Sequence, residues 1–352
     1  MRVGVFFSNS APTSGGEYSF QNVVYSALKH VETRHRFYFF FNKLDAQAVR
    51  ALVDVIWFVS PFHELIDDVP YVTTLWDLQH RLQPYFPEVS AYGNWQRREQ
   101  LHSTLLNRAS YVIAGTEVGK QEIMRFYHVP EERVRVLPFP APRRQTRLPA
   151  IEGKDEEILK AIGVTKPFLF YPAQFWAHKN HIRILQAAKR LQSEHGVNFS
   201  VVFTGSDKGN AAYIYQQTID LQMHGQVFFL GFVKQEILEC LYRSAFALVF
   251  PTFFGPDNLP PLEAFSWGCP VIASSVAGAA EQLQDAAMLF DPRSECELTN
   301  ALWRLYGDQM LRKRLIESGY RRVEEIGTAD DYVNRMMDIF DEFEPIRQCW
   351  GN

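Results

Sequence analysis

Short apolar runs alternate with longer amphipathic stretches along both halves of the chain. In the first half the apolar runs predict strands over residues 3–7, 37–41, 53–58, 72–75 and 111–114. A period near 3.6 residues predicts helices around 16–30, 95–109 and 117–127. The alternation restarts later, with strands expected over 167–173, 199–204, 227–230, 247–250, 271–273 and 288–290. Strands that are apolar throughout indicate a parallel sheet buried on both faces, so the sequence predicts an α/β fold.

The segment 137–154 interrupts both periodicities, because it holds four prolines and a basic run. A chain of 352 residues also exceeds what one hydrophobic core usually supports. We therefore predict an N-terminal domain over 1–150, a linker within 137–154, and a C-terminal domain over 151–328. A last helix is expected over about 329–352.

The composition narrows the class of protein. Hydrophobic residues make up 47% and charged residues 22% of the chain, as in ordinary globular proteins, and the net charge of -4 gives no attraction for nucleic acid. The four cysteines form no CxxC pair, so neither a disulfide framework nor a zinc site is expected. Because no apolar stretch is long enough to span a bilayer, we expect a cytoplasmic protein with at most peripheral contact to the inner face of the membrane.

One predicted helix begins directly after the strand at 247–250. Pro260 and Pro261 are typical of a helix start, and Gly268 of a helix end. The start of this helix falls at the carboxyl edge of the sheet, where the amides of Asn258–Leu259 are a candidate cradle for a diphosphate. Glu263 is expected in the first turn. There the helix dipole alone accounts for a carboxylate, although the same group could also accept ribose hydroxyls.

A second anion-binding group is predicted at the same edge. Lys179 follows the strand at 167–173 and opens the next helix. A lysine there can stabilise the charge of a departing nucleoside diphosphate. The sequence contains no Asp-x-Asp triplet, so no metal is expected. His178 and His181 flank the lysine, but no third metal ligand accompanies them.

Residues 251–274, PTFFGPDNLPPLEAFSWGCPVIAS, resemble the nucleotide-binding signature of retaining glycosyltransferases of family 4, which have the GT-B fold. The segments 170–181, 201–206 and 229–233 are similar to that family's diphosphate segment, its glycine turn at Gly205 and its nucleobase loop. The resemblance covers most of 165–292. It implies two Rossmann-like, doubly wound parallel-sheet domains facing each other across a cleft, with the last helix crossing back to the first domain.

The resemblance also implies roles for residues of the C-terminal half. Lys179 would contact the diphosphate and Glu263 the ribose. The amides of Asn258 and Leu259 would bind the phosphate, and the backbone of Val233 would meet the base.

In the N-terminal half the resemblance is confined to two short segments, Gly15-Gly16 and Trp76-Asp-Leu-Gln-His80. The first is similar to the loop that faces the transferred sugar, where Gly16 would let the backbone approach. The second implies that His80 hydrogen-bonds that sugar. An alternative explains His80 equally well: it is a loop histidine that hydrogen-bonds a backbone carbonyl and contacts no ligand.

Two positions depart from the family's pattern. The family commonly has a Glu eight positions before Glu263, where this chain has Gly255, so the contact to the sugar ring hydroxyls is either supplied by Asp257 or absent. The family also commonly has an Arg where Gln174 stands, which leaves one diphosphate contact missing or replaced by an amide. Both departures concern the identity of the sugar more than the fold.

The resemblance implies a metal-independent hexosyltransferase that needs no cofactor, because the nucleotide-diphosphate sugar is its substrate. GDP-mannose and dTDP-rhamnose are the favoured donors, and the acceptor would be a saccharide or lipid-linked glycan in polysaccharide biosynthesis. Retention would follow a same-face substitution in which the leaving diphosphate helps to deprotonate the acceptor. A double displacement needs a carboxylate nucleophile instead, for which Asp77 is the candidate.

Three alternatives stay open on the sequence. A GT-B phosphorylase or a nucleotide-sugar epimerase would use the same two-domain architecture. A non-catalytic nucleotide-sugar-binding protein would tolerate Gly255 and Gln174. A dinucleotide oxidoreductase is weaker, because no G-x-G-x-x-G follows the first strand.

Overall fold

The computed structural model describes residues 1–10, 15–41, 44–61, 65–142 and 151–349. The chain divides into two compact units, one formed by Met1–Pro140 with Gly327–Asn352 and the other by Ala141–Ile326. Each unit contains a six-stranded sheet in which every pair of neighbouring strands is parallel. This confirms the predicted α/β fold class.

The sheet of the first unit has the order β2-β1-β3-β4-β5-β6. Its strands are β1 (Arg2–Phe7), β2 (Arg36–Phe41), β3 (Val55–Phe58), β4 (Tyr71–Leu75), β5 (Tyr111–Ala114) and β6 (Val134–Val136). Its helices are α1 (Gly16–Leu28), α2 (Ala46–Leu52), α3 (Gln79–Leu82), α4 (Pro87–Ser90), α5 (Asn94–Arg108), α6 (Glu117–Tyr127) and α15 (Ala329–Gln348).

The sheet of the second unit has the order β12-β11-β10-β7-β8-β9. Its strands are β7 (Phe168–Pro172), β8 (Ser200–Thr204), β9 (Val227–Phe229), β10 (Ala247–Phe250), β11 (Val271–Ser274) and β12 (Ala287–Phe290). Its helices are α7 (Ile151–Ala161), α8 (His181–His195), α9 (Ala211–Asp220), α10 (Gln235–Ser244), α11 (Leu259–Ser266), α12 (Ala279–Leu283), α13 (Glu295–Gly307) and α14 (Gln309–Ile326). The central strands are buried on both faces, as their continuous apolar runs require.

The last helix, α15, is packed into the first unit. Thr328 caps it through a reciprocal pair of hydrogen bonds with Asp331. Its buried face carries Tyr332 and Phe340, whose rings lie 5.7 Å from Phe20 of α1 and 6.2 Å from Trp57 of β3. The C-terminal segment therefore supplies part of the first unit's core.

The linker prediction is wrong at its C-terminal end. Residues 143–150 lie outside the described part of the chain, but helix α7 already begins at Ile151, inside the segment read as linker. The polar sequence that follows is one face of an amphipathic helix. Leu159 points into the core, and Asp155 forms a buried ion pair with Arg243 at 2.7 Å.

The sequence did not predict helices α2, α3 and α4 or strand β6 of the first unit. Helix α2 depends on Asp45, whose carboxylate accepts the amides of Gln47 and Ala48 at 2.9 and 3.0 Å. Strand β6 has three residues, too few to show a period.

Among the helices described, none combines the length and the apolar character needed to cross a lipid bilayer.

Candidate functional site in the second unit

The predicted donor-binding residues of the second unit come together at one edge of its sheet. Strands β10, β7 and β8 are neighbours, with Leu248 opposite Phe170 and Phe170 opposite Val202. Because these strands are parallel, their carboxyl ends meet at the same edge. The segments that leave them carry Lys179, Gly205 and the start of α11.

Lys179 sits in a turn that is tied to the end of β10. A short 3-10 helix, Ala177–Lys179, ends at Asn180, which adopts a left-handed conformation with φ 56°. The Asn180 side chain donates to the carbonyls of Pro251 and Pro292, each at 3.0 Å, and the Tyr171 hydroxyl donates to the Lys179 carbonyl at 2.9 Å. The Lys179 backbone is thereby fixed to the end of β10, from which the chain leads into α11.

The two histidines beside Lys179 pack against aromatic rings. His178 stacks on Phe254 at 3.8 Å, and its carbonyl accepts the Phe253 amide at 2.9 Å. His181 stacks on Phe175 at 4.3 Å, and burial lowers its pKa to about 3. Both side chains therefore have structural roles that hold the lysine turn.

Helix α11 offers fewer amides than the sequence predicts. The Asn258 backbone N–H donates to the side-chain oxygen of Gln282 at 3.1 Å. The side-chain nitrogen of Gln282 donates back to the Asn258 carbonyl, also at 3.1 Å. Pro260 and Pro261 carry no N–H. Two amides were predicted to cradle a phosphate. Gln282 accepts the Asn258 amide and does not accept the Leu259 amide.

The prediction that Glu263 lies in the first helical turn is wrong. Helix α11 begins at Leu259, so Glu263 is its fifth residue, beyond the turn where the helix dipole acts. The Tyr242 hydroxyl donates to Glu263 Oε2 at 2.5 Å, and burial raises the pKa of the Glu263 carboxyl. The helix dipole therefore does not account for a carboxyl group at position 263. The partly buried Glu263 carboxyl lies on the helix whose start is the candidate anion site.

Gly255, where the family commonly has a Glu, has a backbone that disfavours any side chain. Its φ is +117°, and a Cβ built there would lie 2.7 Å from Asn258 Oδ1. The Asn258 side-chain amide also donates to the Gly255 carbonyl at 2.6 Å. The positive φ therefore disfavours the family's Glu in this loop conformation.

Asp257 lies in the same loop and is partly buried. Burial, together with the nearby Glu281 carboxylate, raises the pKa of Asp257 to about 8. At neutral pH the Asp257 carboxyl is accordingly protonated in the main and can donate a hydrogen bond as well as accept one.

Asp257→Asn is expected to change the pH dependence of stability. Between about pH 4 and pH 8 native Asp257 holds a proton that the unfolded chain has released, so the free energy of unfolding falls as pH rises. Asparagine does not ionise, so the melting temperature of the variant relative to wild type should increase from pH 5 to pH 8, as measured by calorimetry.

Asp207→Asn is the matched control, because hydrogen bonds from the Ala211 and Gly209 amides lower the pKa of Asp207. That group is ionised in both states throughout the window, so its effect on the melting temperature should stay constant. A parallel pH trend in both variants would contradict the assignment for Asp257.

The remaining predicted residues of this unit border the same edge. Gly205 has φ +128°, and a Cβ there would lie 2.4 Å from the Ala173 carbonyl oxygen, so only glycine allows the ends of β7 and β8 to approach. Its amide donates to the Gly231 carbonyl at 2.8 Å, next to the loop that holds Val233. The Gln174 side-chain oxygen accepts the Trp176 indole N–H at 2.9 Å.

Candidate residues in the first unit and comparison with known proteins

In the first unit His80 belongs to a buried polar network. Its side chain is fully buried, and Nε2 lies 3.2 Å from Glu99 Oε2 and 3.3 Å from the Tyr127 hydroxyl. Arg81 also pairs with Glu99, and the His102 ring lies 5.4 Å from the His80 ring. The structure places His80 inside this unit, and its contact with a donor sugar stays a prediction.

Asp77 is held by neighbours of the same unit. Its Oδ1 accepts from Arg98 at 2.5 Å and from the Gln79 amide at 2.9 Å. Interactions with Arg98 and Gln79 lower the pKa of Asp77 although burial opposes them. An ion-paired carboxylate is a weaker nucleophile, so this geometry does not favour a double displacement through Asp77.

Gly15 and Gly16 open helix α1 after β1. Gly15 has φ +76° and Gly16 is exposed, with open space where a Cβ would stand. The backbone at Gly16 is therefore accessible, as a sugar-facing turn requires.

Sequence reasoning missed several partners of these groups, notably Tyr242, Gln282, Glu99 and Tyr127. Each contacts its site residue from a different helix, 19 to 47 positions away in the chain. Glu122 of α6 was also missed; burial and Asp77 raise its pKa to about 7. No local pattern marks such contacts.

Residues 154–322 match the family model for glycosyl transferases group 1. O-antigen chain mannosyltransferase B of Escherichia coli is 25% identical over 195 residues, which are 55% of this chain and 50% of that protein. O-antigen chain mannosyltransferase RfbU of Salmonella typhimurium is 24% identical over 248 residues, 70% of this chain and 60% of that protein. The alignments thus span only half to three-fifths of these relatives.

The fold is shared with a solved structure. Alr3699/HepE of Anabaena, in complex with UDP-glucose, superposes with a TM-score of 0.76 at 15% identity, covering 97% of this chain and all of that one. Family model, relatives and fold together support a GT4-type glycosyltransferase with the GT-B fold.

Proposed function

We propose that the chain is a retaining hexosyltransferase that transfers mannose from a nucleotide-diphosphate sugar to a saccharide or lipid-linked acceptor. The observation that carries this proposal is the fixed Lys179 turn, which shares one sheet edge with Leu259 and the partly buried Glu263. A diphosphate beside Lys179 and a ribose beside Glu263 fit the charges and hydrogen-bonding capacity of that edge.

The choice of sugar rests on the relatives. Both O-antigen relatives are named mannosyltransferases, which supports GDP-mannose as the donor, with dTDP-rhamnose second. Their names also support a role in surface polysaccharide synthesis. They favour transfer over the phosphorylase and epimerase alternatives.

In the proposed reaction the bond between the sugar C1 and the β-phosphate oxygen breaks as the acceptor oxygen bonds to C1 on the same face. The acceptor proton passes to the departing diphosphate, so atoms and charge balance without a protein nucleophile. Lys179 stabilises the negative charge that develops on the leaving group, a role that bound metal has in other transferases. We propose that the reaction is therefore metal-independent.

Asp257 is proposed to contact a ring hydroxyl of the sugar in place of the Glu that Gly255 excludes. Its protonated carboxyl supplies both a donor and an acceptor at neutral pH.

A thermal-shift series with GDP, UDP, dTDP, ADP and NAD, all in EDTA, tests the proposal first, because a ligand that binds the native state raises the melting temperature. GDP or dTDP is expected to give the largest shift. The matching nucleotide sugar is then incubated with a saccharide acceptor in EDTA, and the anomeric configuration of the product is read by NMR. A shift with NAD alone, or an inverted product, would contradict the proposal.

A further inference from the structure

The segment between β4 and α5 presents two tyrosines to solvent. Tyr85 follows α3 and is 72% exposed, and Tyr92 lies between α4 and α5 and is 93% exposed. No large apolar or aromatic side chain in the described part of the chain is more exposed than Tyr92. We call Tyr85 and Tyr92 the tyrosine pair.

Tyr92 is also in an unfavourable backbone conformation. Its φ of 54° and ψ of 34° are left-handed, a conformation that costs free energy for a residue with a Cβ. Gly93 follows with φ +74°. An exposed ring gains little from burial, so packing does not offset this cost. Such positions are enriched at binding sites.

The neighbouring residues hold this conformation in place. Arg97 Nη1 donates to the Tyr92 carbonyl at 2.9 Å, and the same guanidinium donates to the Asn94 side chain. The Asn94 side-chain amide donates to the Glu88 carbonyl at 3.2 Å. The Tyr92 turn is therefore preorganised on the start of α5, which reduces the entropy lost when a ligand binds.

The charges around the tyrosine pair cancel. Residues 76–99 contain three acidic and three arginine side chains. Arg98 pairs with Asp77 at 2.5 Å, and Arg81 pairs with Glu99. An anionic bilayer attracts segments that carry an excess of Lys and Arg. In this segment three acidic residues balance the three arginines. The charge balance favours an uncharged ligand.

A sugar ring fits these properties. Its C–H face packs on an aromatic ring, and its hydroxyls bond to the tyrosine hydroxyl and to exposed polar side chains. The segment also leaves the carboxyl end of β4, the strand end that carries Asp77. It therefore belongs to the ligand-binding edge of the first unit's sheet.

We propose that the tyrosine pair offers stacking sites for uncharged sugar residues of the acceptor, with Tyr92 as the more exposed of the two. This proposal rests on the proposed function, and it assigns the acceptor's recognition to a saccharide chain rather than to a lipid surface. The pair takes no part in bond making, so it acts through acceptor affinity.

The test uses the full chain and an α-linked mannotriose as the probe, with binding measured by saturation-transfer NMR. Wild type should bind the trisaccharide, and Tyr92→Ala should weaken binding at least fivefold. Tyr92→Phe should retain most of the binding, because the ring is kept. Tyr213→Ala, which truncates a tyrosine 52% exposed on α9, is the matched control and should bind as wild type does.

A fourth variant separates binding from stability. Tyr92→Gly suits the left-handed backbone, so its melting temperature should not fall while trisaccharide binding is lost. A structural role for Tyr92 would lower both.

Sedimentation with phosphatidylglycerol vesicles completes the experiment. Vesicle binding that Tyr92→Ala abolishes, without trisaccharide binding by wild type, would overturn the proposal in favour of a membrane contact. Unchanged trisaccharide binding in Tyr92→Ala would also overturn it. The nucleoside-diphosphate shift of wild type is recorded alongside. Its absence would count against the proposed function, whereas the trisaccharide result bears on the tyrosine pair.

Discussion

Lys179→Ala is expected to lower turnover by at least tenfold while the fold persists. The lysine turn is held through the Asn180 side chain and the Lys179 carbonyl, neither of which the substitution removes. The substitution also removes the contact of the Lys179 ammonium with the Phe250 ring at 5.3 Å. The proposed interaction with the leaving diphosphate is strongest in the transition state, so kcat should fall more than donor KM rises. Initial rates of sugar transfer over a range of donor concentrations measure this.

Two further variants sharpen that experiment. Lys179→Arg keeps the charge but changes its geometry, so it should recover part of the activity. Lys313→Ala removes an exposed lysine of α14 and should leave turnover unchanged. Normal turnover in Lys179→Ala, with an unaltered melting temperature, would refute the assignment of Lys179 to the leaving group.

Glu263→Gln is expected to weaken nucleoside-diphosphate binding about tenfold, or about 1.4 kcal/mol. Glutamine preserves the shape of the side chain and can still accept the Tyr242 hydroxyl, so the buried hydrogen bond survives. It loses one acceptor oxygen for the ribose. Alanine is the poorer test, because it removes the acceptor of the buried Tyr242 hydroxyl and lowers stability as well.

The ribose role is tested directly by comparing GDP with 2′-deoxy-GDP in titration calorimetry. If Glu263 accepts the 2′-hydroxyl, the substitution should weaken GDP binding more than 2′-deoxy-GDP binding. Tyr242→Phe is the control, since it removes the donor to Glu263 without altering the carboxyl group. Equal losses for the two nucleotides would place Glu263 away from the 2′-hydroxyl.

The sequence predicted the sheets well because their strands are continuous apolar runs. The strand expected over 167–173 is β7 (Phe168–Pro172), and the one over 247–250 is β10. The resemblance to glycosyltransferases is supported by the family model that matches residues 154–322. It was visible in the sequence because the motif around Glu263 is long and local.

What the sequence could not predict depends on tertiary contacts and backbone conformation. The occupation of the Asn258 amide by Gln282 joins α11 to α12 across 24 positions, and no periodicity encodes it. The left-handed Gly255 turn is equally hidden, since glycine permits that conformation without requiring it. Glu263 was predicted one turn too early in α11, because helix ends are the least certain part of a pattern.

The packing of α15 on α1 and β3 has a consequence for synthesis on the ribosome. The first unit's core includes Tyr332 and Phe340, so it stays incomplete until all of the second unit has been made. During that interval the apolar surfaces around Phe20 and Trp57 remain uncovered. Nascent chains halted before residue 329 would expose these surfaces, and so be recognised by chaperones and proteases even though their second unit is whole.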